Sequence, residues 1–329
     1  MRSLLISGSL FLISEYIYSQ GCCSGGSGSP IAGGASQGVL LDRQVEVAAN
    51  FQYVGTNKFQ SGDKDTVPLF DNFNSKYLYA RIAFGVTKDL TMSIESGYFI
   101  NKTQKQDTIS INSSGIGDLL LFPRYDIYNR TTETKRTEVT IGLGYKIPLG
   151  KYNDSTITFI DQSTGKKYYT TSSPLVQTTT GSHDLIFYAF LFRGSPLKNF
   201  RIFANAFYIM KGWNPLGEKF GDYASVGLFA GKTFFKKLGI TLQIKGEYIG
   251  KMKAAANVDV VALYNVYPES TGSRRVLFVP QISFSHKNFT IYALTEIPIY
   301  QYVNQVQVAS QYLFTGGISY RFFAVKPKE

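Results

Sequence analysis

Ionisable side chains in this chain recur at alternate positions within stretches that are otherwise apolar. Glu95, for example, follows Thr91 and Ser93 at a spacing of two, while Met92 and Ile94 occupy the positions between them. Because side chains in a β-strand alternate between two faces, such charges share one face with small polar residues and leave the other face apolar. Acids and bases arranged in this way either hold each other in ion pairs or line a polar path that selects solutes.

The residues predicted to share the polar face are acids and bases in similar numbers. The acids are Glu46, Glu95, Asp118, Asp126, Glu138, Glu247 and Glu296. The bases are Arg81, Arg124, Lys146, Arg201, Lys245 and Arg321. Tyr77, Tyr79 and Tyr292 fall on the same face and add an aromatic surface to it. The candidate residues of a solute path are Glu95, Asp118, Arg124, Arg81, Glu138, Lys146, Tyr79 and Tyr292.

The sequence contains few residues that could form a catalytic site. His183 and His286 are the only histidines, and His183 is flanked directly by Ser182 and Asp184. Three consecutive residues of a strand cannot form a Ser-His-acid relay, because neighbouring side chains point to opposite faces. The chain contains no CxxC, HExxH or glycine-rich phosphate-binding motif. We therefore predict that the protein is not an enzyme and has no catalytic residues, metal ligands or cofactor.

The elements that carry these residues are predicted to be β-strands, because the alternation repeats in stretches of about ten residues. The predicted strands cover about 43–54, 76–86, 90–100, 116–128, 137–148, 183–193, 200–210, 222–234, 238–249, 275–285, 289–298 and 309–322. The gaps between them are alternately short and long, and aromatic residues lie near many strand ends. This pattern is typical of an all-β fold, a single antiparallel transmembrane β-barrel of about twelve strands in the outer membrane of a Gram-negative bacterium.

Outer-membrane barrels place short turns in the periplasm and long loops outside. The predicted long loops follow the odd-numbered strands, the eleventh included, and the longest spans about residues 149–182. An even number of strands returns both termini to the periplasm. The apolar strand faces are assigned to lipid and the charged faces to the lumen, but the sixth and seventh strands are apolar on both faces.

The regions outside the barrel differ in composition. A short apolar stretch after Arg2 predicts a signal peptide. The following Gly- and Ser-rich segment is predicted to be either a periplasmic tail or a plug in the barrel mouth. The predicted organisation is a signal peptide over 1–20, the Gly/Ser-rich segment over 21–42, the barrel over 43–322 and a periplasmic tail over 323–329.

Cys22 and Cys23 are the only cysteines, and they are adjacent. An adjacent pair closes a disulfide only with strain, so a structural disulfide is not expected. The preceding residues Ser19, Gln20 and Gly21 form a partial lipobox. Lipidation of Cys22 is therefore one alternative, and cross-linking or inert thiols are the others.

The formal net charge of +11 invites a nucleic-acid interpretation. The Lys and Arg residues lie mostly in predicted short turns and loops, as at Lys88, Lys236 and Lys237, and no nucleic-acid-binding module gathers them. The sequence therefore predicts no nucleic-acid partner. Solvated turns and rims, with contact to anionic lipid headgroups as an addition, explain these residues more simply.

Short motifs give the chain a family resemblance. SGIGDL at 114–119 resembles the G-x-G-D-hydrophobic signature of an outer-membrane family that is named after the meta-cleavage pathway of phenol degradation. GLGYKIPLG at 142–150 resembles a strand end of that family, Ile297-Pro298-Ile299 echoes its proline, and GGISYRF at 316–322 resembles its final strand. The CCSGGSG start is similar to outer-membrane proteins of the Bacteroidetes type. The resemblance implies a transporter or porin-like channel for hydrophobic or aromatic compounds.

The function predicted from these observations is an outer-membrane channel or transporter for small, hydrophobic or aromatic molecules. A structural or partner-binding barrel without transport is the alternative, and an outer-membrane hydrolase is less favoured. The expected partners are outer-membrane lipids, the barrel-assembly machinery and small hydrophobic solutes. The lumen is expected to be either open or plugged by the Gly/Ser-rich segment.

Overall fold

The computed structural model describes residues 38–107, 109–195, 197, 199–264 and 266–325. Within these residues twelve long antiparallel strands form the wall of a barrel. The strands are β1 (Gln44–Thr56), β2 (Asn72–Gly85), β3 (Leu90–Gln106), β4 (Asp118–Thr131), β5 (Arg136–Pro148), β6 (Asp184–Ser195), β7 (Phe200–Met210), β8 (Tyr223–Phe234), β9 (Leu238–Ile249), β10 (Ser273–His286), β11 (Phe289–Val308) and β12 (Tyr312–Phe323).

Each strand pairs with its neighbours in sequence, and the first strand pairs with the last. β1 and β12 are hydrogen-bonded from the pair Gln44–Phe323 to the pair Gly55–Tyr312, so the sheet closes on itself. Closure leaves no unpaired strand edge, which is the condition for a β-structure to stand in hydrocarbon, where no water satisfies backbone groups. The predicted antiparallel barrel of about twelve strands is confirmed.

The two faces of the wall differ as the alternation requires. On β8, the side chains of Val226 and Leu228 face outward and are 56% and 62% exposed. Phe229, the next residue after Leu228, faces inward and is 9% exposed. The same outward band of Val, Ile, Leu, Phe and Tyr surrounds the barrel. A continuous apolar surface around a closed barrel is stable only in lipid, so the protein is located in the outer membrane.

The lipid-facing assignment predicts a depth-dependent cost of charge. Leu228→Arg places a guanidinium at the middle of β8, and we expect it to lower the free energy of unfolding by about 2–4 kcal/mol. Ala224→Arg lies on the same strand face near the end of β8, where the expected cost is about 0–1 kcal/mol. Urea unfolding of both variants in lipid vesicles measures the difference. Equal losses for the two variants would contradict the assignment.

Smaller elements occupy the outer ends of the strands. Short strands lie at Phe59–Gly62, Lys64–Asp65, Ile109–Ile116, Ser155–Ile160, Lys167–Thr171, Glu218–Lys219 and Lys253–Ala254, with a helix α1 at Val260–Tyr264 and a 3-10 turn at Pro268–Ser270. Ser155–Ile160 and Lys167–Thr171 pair as a hairpin in the third outer loop. None of the helices in the described part of the chain has the length and apolar character of a membrane span.

The prediction that a long loop follows the eleventh strand is wrong. β11 continues to Val308, and only residues 309–311 separate it from β12. The pairing of β10 with β11 shifts between Val276 and Leu277, where Tyr300 and Pro298 are the consecutive partners and Ile299 is an extra residue. A bulge there reverses which residues face inward, so the simple alternation ends at Pro298 although the strand continues. Pro298, predicted to lie at a strand end, instead lies within the strand at this bulge, where a missing N–H is tolerated.

Several sequence predictions fall outside the described residues. These are the signal peptide at 1–20, the lipidation of Cys22, residues 21–37 of the Gly/Ser-rich segment and residues 326–329 of the predicted tail. They stay predictions.

Candidate functional site

The lumen has a polar wall, built mainly from β1, β2, β3 and β12. Glu46 on β1 lies directly opposite Arg321 on β12, and Arg81 reaches it from β2. The Glu46 carboxylate binds Arg81 Nη2 and Arg321 Nε, each at 2.5 Å. Removing Glu46 would leave a buried arginine without its partner, so this three-residue network holds the three strands together from inside.

Glu95 on β3 and Arg124 on β4 lie beside this network on the inner face. Glu95 is directly opposite Arg81 in the pairing of β2 with β3 and is 4% exposed. Neither of its carboxylate oxygens accepts a hydrogen bond among the described residues. Arg124 donates from Nη1 to the carbonyl oxygen of Gly38 at 3.0 Å, which joins the wall to the segment before β1.

The remaining charged candidates lie at the two ends of the lumen. At the outer end, Lys146 Nζ is 3.3 Å from Asp118 and 3.0 Å from Asp184. At the periplasmic end, Glu138 pairs with Arg136 at 2.7 Å. The inward charges therefore divide into an outer group and a periplasmic group rather than forming one ladder.

The tyrosine candidates belong to the polar wall. Tyr79 stacks on Tyr77 with ring centroids 5.5 Å apart, and Tyr77 stacks in turn on Phe99 at 4.2 Å. The Tyr292 hydroxyl donates to the side-chain oxygen of Asn50. All eight candidate residues thus lie on the inner face, but Asp118 and Lys146 are separated from the other six.

The opposite wall of the lumen is aromatic, and the alternation of polar and apolar residues in the sequence does not predict it. Tyr188, Phe190, Phe203, Phe207 and Phe229 project inward from β6, β7 and β8, and we refer to these five residues as the aromatic wall. Phe203 stacks on Phe229 at 4.3 Å, and Tyr188 packs on Phe207 at 4.7 Å. The signal was present in the sequence: when both faces of a strand in a membrane barrel are apolar, one of them must face the lumen.

A cavity of about 480 Å³ lies in the periplasmic half of the lumen, beside the polar wall, and it meets the aromatic wall at Phe190. Residues 38–41 line it at the periplasmic side, and Leu40 N donates to Thr91 Oγ1 at 2.7 Å. Glu46, Arg81, Arg124, Glu138 and Tyr292 contribute polar groups to its surface, and Phe190 contributes an apolar one. A cavity with apolar surface on one side and polar groups on the other is suited to a small ligand.

The third outer loop closes the opposite end of the lumen. Residues 172–180 fold inward, and we refer to them as the crossbar. Leu175 and Val176 at its tip are buried against residues at the outer ends of β1, β2, β11 and β12: Val54, Phe73, Val308 and Leu313. Near its other end, the Thr179 hydroxyl donates to Asp118 on β4, and Lys146 Nζ on β5 donates to Thr180 Oγ1 at 2.9 Å. The crossbar therefore links the outer ends of β11, β12, β1 and β2 to those of β4 and β5 across part of the outer mouth.

Comparison with known proteins agrees with the architecture. No protein-family model matches the chain, and no curated protein matches it. An outer-membrane channel from Pseudomonas putida F1 superposes with a TM-score of 0.66 at 10% identity, over 89% of this chain and 100% of that chain. The fold is that of an outer-membrane β-barrel. The resemblance to the family of the phenol meta-cleavage pathway and to Bacteroidetes proteins stays a prediction.

Two autotransporter domains are also similar to this barrel, at lower scores. The translocator domain of NalP from Neisseria meningitidis has a TM-score of 0.43 at 12% identity, over 85% of this chain and 88% of that chain. The β domain of the Bordetella autotransporter BrkA has a TM-score of 0.47 at 10% identity, over 85% of this chain and 100% of that chain.

The histidine with acidic and hydroxyl neighbours lies at the outer rim of this outer-membrane barrel. His183 is exposed, and its Nδ1 is 3.0 Å from the Tyr145 hydroxyl. Ser182 and Asp184 point inward instead, and the Ser182 hydroxyl donates to Asp184 at 2.8 Å. The three side chains are therefore not arranged as a catalytic relay.

Proposed function

We propose that this outer-membrane barrel is a channel for small solutes with an apolar or aromatic body. The aromatic wall inside the lumen is the observation that carries the proposal. A wall that only had to be solvated would carry polar side chains, as β1 and β12 do. An apolar surface beside a cavity instead favours binding of an apolar ligand, because contact between the two removes water from both apolar surfaces.

The polar wall supports the same function by a different route. Glu46, Arg81 and Arg321 are fixed by mutual ion pairs, so their charges are held at defined positions across the cavity from Phe190. Fixed polar groups opposite an apolar surface orient an amphipathic solute, because they bind its polar end and leave its apolar part in contact with the apolar surface. A path of this kind passes solutes that match both walls and slows those that are polar throughout.

A structural or partner-binding barrel is the second candidate, and the crossbar is the observation that favours it. Leu175 and Val176 are 3% and 0% exposed, so the outer mouth is closed by packed apolar contacts and not only by a mobile surface loop. Under the channel proposal the crossbar is a gate. Under the structural alternative it is a permanent part of the barrel.

Solute flux into vesicles distinguishes the two functions. The protein is reconstituted into liposomes that contain β-galactosidase, and 2-nitrophenyl galactoside or lactose is added outside at equal concentration. Because the crossbar is a gate under the channel proposal, entry depends on its openings, and we expect the aromatic galactoside to enter faster than lactose, since its ring binds the aromatic wall. Failure of both sugars to enter would favour the structural alternative.

Removal of two stacked rings tests the aromatic wall itself. Phe203→Ala combined with Phe229→Ala is expected to lower the aromatic-to-lactose flux ratio about three- to tenfold, since aromatic contacts are worth about 0.5–1.5 kcal/mol each. The matched control is Phe187→Ala combined with Tyr208→Ala, which removes a ring pair at 6.3 Å from the outer face of β6 and β7. An unchanged ratio in the first variant, or an equal fall in both variants, would contradict the proposal.

A further inference from the structure

The cavity in the periplasmic half of the lumen carries an excess of positive charge. Its charged lining residues among those described are Arg81, Arg124, Arg136, Arg201, Arg321, Glu46 and Glu138. Five guanidinium groups thus face two carboxylates, in a recess whose walls exclude much of the solvent. Charge of one sign in such a recess attracts ligands of the opposite sign.

Most of these arginines already have partners. Arg81 and Arg321 share Glu46, Arg136 binds Glu138, and Arg124 donates to the Gly38 carbonyl. Arg201 differs from them. It forms no ion pair and no side-chain hydrogen bond among the described residues. Its Nε atom is buried without a partner there, as are the Nε atoms of Arg81 and Arg136. The segment before β1 does not supply an acid by sequence, because residues 21–41 contain neither Asp nor Glu.

The wall beside Arg201 is shaped to accept its side chain. Arg201 begins the inner face of β7, next to β8, and two glycines lie under it on β8 and β9. A Cβ atom at Gly231 would stand 3.1 Å from Arg201 Nε, and one at Gly239 would stand 3.3 Å from Arg201 Nη2. The two glycines therefore leave the space that the guanidinium fills. A partly buried cation that lies in a shaped site without a counter-ion is suited to binding an anion.

The same site adjoins the aromatic wall. Phe203 lies two residues after Arg201 on the same face of β7, and it packs on Phe190 with ring centroids 6.0 Å apart. Phe190 and Phe192 line the cavity together with Arg201. An apolar surface and a planar fork of N–H donors thus meet in one cavity, and the fork matches a carboxylate.

We propose that this cavity binds organic monocarboxylates, with the carboxylate on Arg201 and the apolar body against Phe190 and Phe192. The proposal rests on the proposed function, because it names the class of solute that the channel accepts. It makes Arg201 a specificity-determining residue. Glu46 and Glu138 already form ion pairs with other arginines of the cavity. The guanidinium of Arg201, which has no ion pair, is therefore the group that can bind the carboxylate of the ligand.

Equilibrium dialysis of the detergent-solubilised full chain tests the site without requiring transport. The probes are 4-phenylbutyrate and its neutral isostere 4-phenylbutyramide. We expect the acid to bind at least about tenfold more tightly than the amide, because a charged partner roughly doubles the strength of a hydrogen bond. Arg201→Gln is expected to remove that preference and to leave amide binding unchanged. The control is Arg193→Gln, which removes the same charge from an exposed position on the outer face of β6.

Three results would overturn the proposal. They are equal binding of acid and amide to the unmodified protein, an equal loss of acid binding in the Arg201 and Arg193 variants, and displacement of the acid by an equal concentration of inorganic phosphate. Migration of each folded variant as a heat-modifiable band on gels shows that the barrel is intact. Binding of the acid through Arg201 without any flux in the vesicle assay would support this site while contradicting the channel. Flux of the aromatic galactoside, together with equal binding of the acid and the amide, would support the channel while contradicting the carboxylate site.

Discussion

Replacing residues 173–177 by three glycines is expected to convert a protein with little conductance into one with discrete, stable conductance steps in planar bilayers. These residues carry Leu175 and Val176, whose burial against the outer ends of β1, β2, β11 and β12 closes the outer mouth. The replacement is compatible with the loop, because both flanks are anchored beside each other. Ser172 N donates to Asp154 O at 2.7 Å, and Thr178 N donates to Lys151 O at 3.2 Å.

The matched control lies in the same loop. Replacing residues 162–165 by three glycines changes the tip of the hairpin formed by Ser155–Ile160 and Lys167–Thr171, which lies outside the crossbar. This variant should conduct as the unmodified protein does. Equal conductance of the two variants would show that the crossbar is not the barrier to conduction. The crossbar would then no longer be an argument for the structural alternative.

The barrel could be predicted from sequence because a two-residue repeat carries the information locally. In β3, Thr91, Ser93 and Glu95 face inward and Met92 and Ile94 face lipid, as the alternation requires. A charge on the lipid face is costly, so the sequence itself separates the faces. The bulge in β11 broke this local rule, and the end of the strand was therefore misplaced.

The composition of the lumen could be predicted only in part. Alternation assigned Glu46, Arg81 and Arg321 to one face, but their mutual pairing depends on which strands close the barrel. The aromatic wall was missed because Phe190 and Phe203 have apolar neighbours on both sides in sequence, so neither face of their strands was marked as inner. The rule that one face must line the lumen resolves the ambiguity.

The crossbar could not be predicted from the local pattern. Its contacts join residues that are far apart in sequence, as between Thr179 and Asp118, and Val176 belongs to the same buried cluster as Val308. A Thr- and Ser-rich loop carries no periodic signal of where it will pack. Its inward fold is a property of the assembled outer mouth.

Deletion of residues 21–40 is expected to raise conductance strongly only when the crossbar has also been removed. Residues 38–40 belong to the cavity lining, where Gly38 O accepts a hydrogen bond from Arg124 and Leu40 N donates to Thr91. They reach from the start of β1 to β4 along the periplasmic mouth, whereas the crossbar closes the outer mouth. Of these two obstructions in series, the packed crossbar is expected to be the tighter one, so removal of the segment before β1 alone leaves the crossbar in control of the current.

Single-channel recordings of four proteins test this order: the unmodified chain, each single change and the combination. We expect the deletion alone to remain close to silent, the crossbar replacement alone to conduct, and the combination to give the largest steps. The deletion should also increase access of 4-phenylbutyrate to Arg201 from the periplasmic side, because the lining residues nearest that mouth are gone. Full conductance from the deletion alone would show that the segment before β1 is the only barrier, and that the crossbar leaves an open path beside it.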